Sequence, residues 1–250
     1  MNISTFLNSI ELDDGRKRVM ETAKRIMAIS PHPDDTEIMA AGYISSRIED
    51  GAEFRLVLVS DGSKGSRTLD EKTLTETRMM EQRDAMHIMG SDDLVFLGYK
   101  DTKVPESSIL RNDLIRELRK YAPDLVISVD PFLPYESHPD HINTGMAVLQ
   151  SVLFHDLPLI GEGDVRSKRP TVALGFTLEP NVILDCASTF EKRISAINAH
   201  KSQFSAEFTD TVRKLESIYG RRINAKCGES FRVLYPQNLH VNVLGGFTLS

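Results

Sequence analysis

The sequence predicts an α/β protein, with a mostly parallel sheet that is covered by helices on both faces. Short apolar runs alternate with amphipathic stretches four times between residues 25 and 129. The runs are nearly continuous in apolar residues, which is typical of parallel strands that turn no face to water. Gly51 and Gly90 follow two of the amphipathic stretches, as expected where helices end. Strands and helices that alternate in this way favour βαβ units.

The individual elements follow from the same patterns. The predicted strands of the first half are residues 25–29, 54–59, 94–97 and 125–129. The helices between them are predicted at about 36–49, 71–89 and 109–121. Further along, we predict helices from 142 to about 154, at about 188–204 and around 212–219, a strand at 172–177 and an extended end at 239–244. Because no repeat or linker-like stretch interrupts the chain, we expect residues 1–250 to form one domain with a C-terminal elaboration.

Composition and charge exclude several classes of protein. The chain has 250 residues, of which 40% are apolar and 26% charged, and these values are ordinary for a globular domain. Its formal net charge is −6, so it has no electrostatic reason to bind nucleic acid or an anionic membrane. No stretch approaches the roughly 18 apolar residues that a membrane helix needs. We therefore expect a soluble protein whose partners include neither nucleic acid nor a membrane.

The N-terminus and the cysteines bear on the compartment. The first residues carry acids where a secretory signal would need a basic start and an apolar run. Cys186 and Cys227 are far apart in the sequence and share no Cys-x-x-Cys spacing, so they predict neither a zinc ribbon nor a disulfide framework. The expected arrangement is two reduced thiols in a cytoplasmic protein.

Two similar tetrapeptides follow strands of the predicted sheet. His-Pro-Asp-Asp stands at 32–35, after the first strand, and His-Pro-Asp-His stands at 138–141, after the fourth. Open parallel sheets bind ligands outside the carboxyl ends of their strands, so the fold would bring both tetrapeptides to one edge. Either one alone would be common turn chemistry. Two at equivalent strand ends are much harder to explain by chance and predict a functional site.

The residue types in these tetrapeptides indicate a metal. His32, Asp35 and His141 could supply two imidazoles and one carboxylate, which leaves coordination positions open. That pattern is typical of a catalytic zinc site, which keeps a place for water. Asp34 would remain beside the metal as a carboxylate outside the ligand set, a suitable general base.

Three other functions share features with this pattern. A dinucleotide site needs a Gly-rich turn after the first strand, but the turn here is Ser-Pro-His-Pro at 30–33, whose prolines remove two donors. A non-haem iron oxygenase also uses two His and one carboxylate, and ligand types alone do not separate iron from zinc. A metal-loaded binding protein without turnover is a third alternative, which the presence of a candidate base disfavours.

At this point the motifs resemble those of a known family, the PIG-L/LmbE-like zinc N-deacetylases. The signature match is His-Pro-Asp-Asp-Thr-Glu at 32–37, and the second motif is His-Pro-Asp-His at 138–141. Further matching stretches are Ser-Asp-Gly at 60–62, Arg78 with Glu81, and His-Lys-Ser-Gln at 200–203. Within the family the chain is similar to the archaeal diacetylchitobiose deacetylase branch, through residues 99–102, 130–137, 200–204 and 228–231.

The resemblance implies a Rossmann-like sheet and zinc-dependent hydrolysis of an N-acetyl group on N-acetylglucosamine or diacetylchitobiose. It implies that His32, Asp35 and His141 bind zinc and that Asp34 is the general base. His138 would assist the reaction near the acetyl group. A different N-acetylglucosaminyl conjugate, such as a thiol precursor, is the alternative substrate.

The resemblance also extends to residues that contact the substrate. It implies that Arg78 and Asp101 bind sugar hydroxyls and that Phe132, where the branch often has Trp, stacks on a sugar face. It further implies a homo-oligomer, trimer or hexamer, in which His240 reaches into a neighbouring subunit's site. One departure is Glu136, which stands where thiol-precursor relatives have Tyr.

Overall fold

The structure, a computed structural model, describes residues 2–165 and 168–241. It is built on a seven-stranded sheet in the order β3-β2-β1-β4-β5-β7-β6. The strands are β1 (Arg25–Ser30), β2 (Glu53–Ser60), β3 (Leu94–Tyr99), β4 (Leu125–Val129), β5 (Thr171–Gly175), β6 (Val182–Asp185) and β7 (Gly228–Leu234). The helices are α1 (Ile3–Ser9), α2 (Asp14–Thr22), α3 (Asp35–Glu49), α4 (Glu71–Met89), α5 (Ser107–Tyr121), α6 (Pro139–Phe154), α7 (Phe190–Ala199) and α8 (Ala206–Arg222).

The topology confirms the predicted α/β class. The five neighbours from β3 to β5 are parallel, whereas β7 runs antiparallel to both β5 and β6. From β1 the chain winds outward to β2 and β3, then returns to place β4 on the other side of β1. The loops after β1 and β4 therefore diverge to opposite faces and leave a crevice, the usual ligand position in such sheets.

The strands carry two cores because both faces of the sheet are covered. In β1, Ile26 and Ala28 pack in the core shared with α3 and α4, while Met27 and Ile29 pack in the core shared with α5 and α6. All four side chains are fully buried. This explains why the strands read as continuous apolar runs, and it gives the sheet edge a rigid base.

The first half of the chain folds close to the prediction. Helix α4 covers the predicted residues 71–89; the Asp70 side chain accepts hydrogen bonds from two N–H groups of its first turn. It ends at Gly90, which adopts a left-handed φ of 102° that favours glycine. The helix that carries Arg78 is therefore fixed at both ends by local sequence signals.

The prediction was incomplete in the second half and at the N-terminus. Helices α1 and α2 and strands β6 and β7 were not anticipated, and α8 is much longer than the predicted 212–219. Strand β7 alternates buried and half-buried residues and includes Glu229 and Arg232, so its sequence reads as mixed. Half of the predicted extended end at 239–244, residues 242–244, lies outside the described residues. The chain before it forms a 3-10 turn at Pro236–Asn238. Among the described residues, no helix is long and apolar enough to cross a membrane.

Candidate metal centre

The loops after β1 and β4 meet at the crevice of the sheet. His32, Asp35 and His141 each place one donor atom within 4.8 Å of the other two. His32 Nδ1 lies 3.5 Å from Asp35 Oδ2, and His141 Nε2 lies 3.6 Å from Asp35 Oδ1. The structure thus brings together the three predicted metal ligands.

Both imidazoles are held by carboxylates on the side that faces away from Asp35. His32 Nε2 lies 3.2 Å from Asp140 Oδ2 and 3.3 Å from Asp101 Oδ1. His141 Nδ1 lies 3.4 Å from Glu136 Oε2. An imidazole whose outer nitrogen meets a carboxylate is fixed in orientation and is a more basic ligand through its inner nitrogen.

Sequence reasoning missed the orienting carboxylates Asp140 and Glu136. Asp140 is fully buried, and its two oxygens accept hydrogen bonds from the backbone N–H groups of Thr102, at 2.7 Å, and Val104, at 3.2 Å. Those donors follow β3, so the contact crosses between two strand-end loops. The position of Asp140 inside the second motif is the one sequence feature that indicated a role for it. Residue spacing alone does not show which histidine it contacts.

The charges around the three ligands suit a cation. Burial disfavours a proton on His32, but hydrogen bonds to Asp101, Asp140 and Asp35 outweigh it and raise its pKa to about 11. Burial likewise opposes ionisation of Asp35, yet His32 and His141 lower its pKa. The carboxylates of Asp35, Asp101 and Asp140 surround the buried imidazole of His32. Donor atoms of His32, Asp35 and His141 face a common point. Nitrogen and oxygen donors in this set fit a divalent transition metal.

Asp34 lies beside the ligands in a strained backbone conformation. Its φ is 109°, a left-handed value that is uncommon for a residue with a side chain. Asp34 occupies the N-cap position of α3, but its side chain makes no capping hydrogen bond there. Its Oδ2 accepts a hydrogen bond of 2.8 Å from Arg78 Nη2, and its backbone N–H donates to Gln82 Oε1. Burial, together with the charge of Asp35, raises the pKa of Asp34 to about 7 despite Arg78. A buried carboxyl with such a pKa can both take and give a proton near neutrality.

Arg78 is directed inward. Besides Asp34, its guanidinium donates to the carbonyl oxygens of Pro33 and Gly62, and the residue is 4% exposed. Gly62 has a φ of 60°, and a Cβ built there would lie 2.6 Å from Arg78 Nη1. The close approach thus requires glycine at position 62. Contact between Arg78 and a sugar hydroxyl stays a prediction, while the observed partners are oxygens of the protein.

His138 lies against the metal ligands without belonging to the three. Its ring centroid is 4.6 Å from that of His32, and its Nδ1 accepts a hydrogen bond from the Asp140 N–H at 3.3 Å. Burial lowers the pKa of His138, and the neighbouring His32 and His141 lower it further. The neutral ring therefore carries its proton on Nε2, which leaves one N–H donor available.

The two remaining predicted residues lie farther from this cluster. Phe132 is 66% exposed and lines a cavity of about 330 Å³. A different cavity, of about 340 Å³, is bounded by Glu136 and by Phe176, whose ring stacks on His141. His240 is exposed, and within residues 2–165 and 168–241 it makes no hydrogen bond or ring contact with the metal centre.

Comparison with known proteins gives one family match. Residues 27–152 match the model of the family described as PIG-L, GlcNAc-PI de-N-acetylase. The matched segment begins in β1 and ends in α6, and so contains both tetrapeptides and the carboxylates Asp101, Glu136 and Asp140 that contact the candidate metal ligands.

Individual relatives match over most of their length. A diacetylchitobiose deacetylase from Thermococcus kodakarensis is 29% identical over 229 residues, which are 87% of this chain and 86% of that protein. A solved N,N'-diacetylchitobiose deacetylase from Pyrococcus horikoshii superposes with a TM-score of 0.85 at 33% identity, covering 92% of this chain and 91% of that one. A probable N-acetyl-α-D-glucosaminyl L-malate deacetylase 2 from Bacillus cereus is 26% identical, covering 78% of this chain and 90% of that protein.

Proposed function

The chain belongs to the PIG-L family of de-N-acetylases, and we propose from that premise that it hydrolyses the acetamide of N-acetylglucosamine or of diacetylchitobiose. The observation that carries the proposal is the position of Asp34 beside His32, Asp35 and His141 at the crevice of the sheet. A carboxyl beside an open metal site is the arrangement that amide hydrolysis by water requires.

We propose zinc as the metal, held by His32, Asp35 and His141. Bound there, zinc would polarise the acetamide carbonyl and lower the pKa of a bound water toward about 7. Asp140 and Glu136 hold the two imidazoles in the orientation that this ligand set needs. Membership of the family favours this hydrolytic chemistry over the iron-dependent oxygenation that the same ligand types allow.

Asp34 would move the protons of the reaction. It accepts a proton as water attacks the carbonyl carbon, and it returns that proton to the sugar nitrogen as the C–N bond breaks. The neutral amide and water give acetate and the protonated amine, so atoms and charge balance. Arg78 holds the Asp34 carboxylate in place through the 2.8 Å hydrogen bond, and its charge limits the rise in the Asp34 pKa.

His138 would stabilise the oxyanion that forms on the acetyl carbonyl oxygen when water attacks the carbon. Its Nδ1 is occupied by the Asp140 N–H, so its Nε2–H is the group that can donate. A donor fixed in advance stabilises developing charge without reorganisation at the moment of reaction. We assign to His240 a second role of this kind.

The sugar contacts are proposed at the rim of the crevice. Phe132 presents an exposed ring that could stack on a sugar face. Asp101 has one carboxylate oxygen against His32 and accepts the Lys64 N–H with the other, so its contact with a hydroxyl would share an oxygen already in use. Arg78 is proposed in the same role and is enclosed by protein oxygens.

We propose a homo-oligomer, trimer or hexamer, in which His240 completes a neighbouring site. Its exposure in the single chain is compatible with such a contact. Mixing inactive His240→Ala and Asp34→Asn subunits tests this directly. If His240 acts across subunits, mixed oligomers regain part of the activity because some sites receive both residues intact. If each site uses its own His240, those mixtures stay inactive, since no chain carries both.

The proposed function is tested by measuring released acetate. N-acetylglucosamine, diacetylchitobiose and an N-acetylglucosaminyl thiol precursor are incubated with the protein before and after treatment with a chelator, and again after addition of zinc. We expect release from the first two that stops with the chelator and returns with zinc. Release from the thiol precursor alone would assign the substrate to that class. No release from any of them by zinc-loaded protein would contradict the proposal.

A further inference from the structure

Two cysteines that are distant in the sequence meet beneath the sheet edge. Cys186 directly follows β6, and Cys227 directly precedes β7. These strands are antiparallel, with Asp185 opposite Gly228, so the next pair in the same register is Cys186 and Cys227. Directly opposed residues in such a ladder have Cα atoms about 4.5–5.5 Å apart, within the range that a disulfide spans. Both sulfurs lie within 4.8 Å of each other and of a Glu216 oxygen.

Both thiols are enclosed by the fold. Cys186 is 2% exposed and Cys227 is 5% exposed, and the Cys186 thiol donates to Glu216 Oε2 at 3.5 Å. Burial raises the pKa of both thiols, and the carboxylate of Glu229 adds to the effect. In the folded protein the thiolate is therefore rare, and a reagent in solution has little access to either sulfur.

The charges around the pair are already compensated within the protein. The Arg193 guanidinium forms ion pairs with both Glu216 and Glu229, and all three side chains are buried. Glu229 also accepts hydrogen bonds from the backbone N–H groups of Gly42 and Tyr43 in α3. If the Cys186 thiol loses its proton to bond formation, Glu216 keeps its partner in Arg193.

This arrangement favours a disulfide over a metal site. A structural zinc takes four ligands, whereas only Cys186, Cys227 and Glu216 converge here among the described residues. A dication would also lie beside the positive charge of Arg193. A disulfide is neutral, replaces two buried thiols without new charge, and leaves the ion pairs intact.

We propose that Cys186 and Cys227 are a disulfide-forming pair, a modification site separate from the metal centre, with a low-molecular-weight disulfide as the oxidant. One cysteine attacks the small disulfide, which releases one small thiol and leaves a mixed disulfide. The second cysteine then attacks the mixed disulfide, the Sγ–Sγ bond forms, and the second small thiol leaves. Two electrons and two protons pass from the cysteines to the small disulfide.

The cross-link would close a loop that contains α7 and α8. That segment supplies Arg193 and Glu216, and it packs on α3: a Cβ built at Gly42 would lie 3.1 Å from the Cys186 Cβ. A bond between the ends of this segment restricts the unfolded chain and raises stability. Because the sulfurs are buried, exchange occurs through local opening, so formation is fastest when the region is loosened.

The test uses the full chain, oxidised by the glutathione disulfide at urea concentrations from zero to just below the unfolding midpoint. After oxidation, we expect neither cysteine to react with N-ethylmaleimide, even when the protein is then denatured. A peptide map should show the 186 and 227 peptides joined. The apparent melting temperature should rise by about 4–15 °C and return on addition of dithiothreitol. Cys227→Ala should give no joined peptide and no rise in melting temperature, and at most a glutathione mixed disulfide on Cys186 that dithiothreitol removes. Cys186→Ala is the matched second variant.

Three results would overturn the proposal. The first is two alkylated cysteines at every urea concentration, and the second is a glutathione adduct on each cysteine without a joined peptide. The third is a second zinc ion per chain that Cys227→Ala removes, which would make the cluster a metal site. The peptide map is made on the wild-type protein, so the result does not depend on the folding of either variant.

Discussion

The tetrapeptides after β1 and β4 differ by one letter, yet they fold and act differently. In the first, at 32–35, all four residues are buried and Asp34 is held in a left-handed conformation. In the second, at 138–141, the chain is relaxed: His138 has an extended φ of −75° and caps α6 with its ring nitrogen. The three residues that the tetrapeptides share, His-Pro-Asp, therefore adopt two different backbone conformations.

The third residue shows the difference most clearly. Asp34 faces Arg78 and has a raised pKa, so it can exchange a proton. Asp140 accepts two backbone hydrogen bonds and contacts His32, and although burial opposes ionisation, these contacts lower its pKa. One aspartate is suited to proton transfer, and the other is a fixed anion. A motif therefore determines which residue types are present, while the surroundings at each strand end determine what those residues do.

The largest effect is expected from Asp34→Asn. The amide keeps the shape and can still accept from Arg78, but it cannot take the proton of the attacking water. We expect kcat to fall by about 10²–10⁴-fold with metal content unchanged. Acetate release and metal analysis measure the two quantities. Asp84→Asn, an exposed change on α4, is the control and should keep full activity. A near-normal rate in Asp34→Asn would show that Asp34 does not transfer the proton and that the third residues of the two loops do not differ in role.

The second-largest effect is expected from substitutions of the first residue of each tetrapeptide, His32 and His138. His32 is a proposed ligand, whereas His138 is a proposed donor to the oxyanion. We expect His138→Ala to keep its metal and to lose about 10²–10³-fold in kcat with little change in KM. His32→Ala should lose the metal instead. Loss of metal in both variants would make His138 a fourth ligand and would remove the distinction between the loops.

The smallest effect is expected from Asp140→Asn and Glu136→Gln, which remove the charge that orients each imidazole. We expect metal affinity to fall by about 10–100-fold in each variant, with activity recovered in excess zinc. Titration of activity against free zinc measures the shift. A loss that excess zinc does not restore would place Asp140 in the reaction itself, beside Asp34.

The sequence predicted the half of the fold that carries the metal centre and less of the rest. Strands β1, β2 and β4 are buried along most of their length and the edge strand β3 is half-buried, and Gly or Pro lies close to each of them, so their patterns are local and strong. Strand β7 alternates in burial and carries Glu229, which contacts α3. That contact is distant in the sequence, so the hydrophobic periodicity of the strand does not predict it. The grouping of the three candidate metal ligands was predicted because two strand ends share one edge. The contacts of Asp140 with His32 and of Glu136 with His141 depend on the directions of the side chains, which residue spacing does not predict.

The position of the candidate metal site between β1 and β4 has a consequence for the stability of the protein in the cell. The donors come from the two halves of the sheet, so an ion held there ties the halves together, while the unfolded chain keeps them apart. An ion that binds the folded state alone at 100 times its Kd adds about 2.7 kcal/mol to the free energy of unfolding. Abundance of the protein should then follow the metal supply of the cell, because metal-starved chains unfold more often and meet proteases sooner.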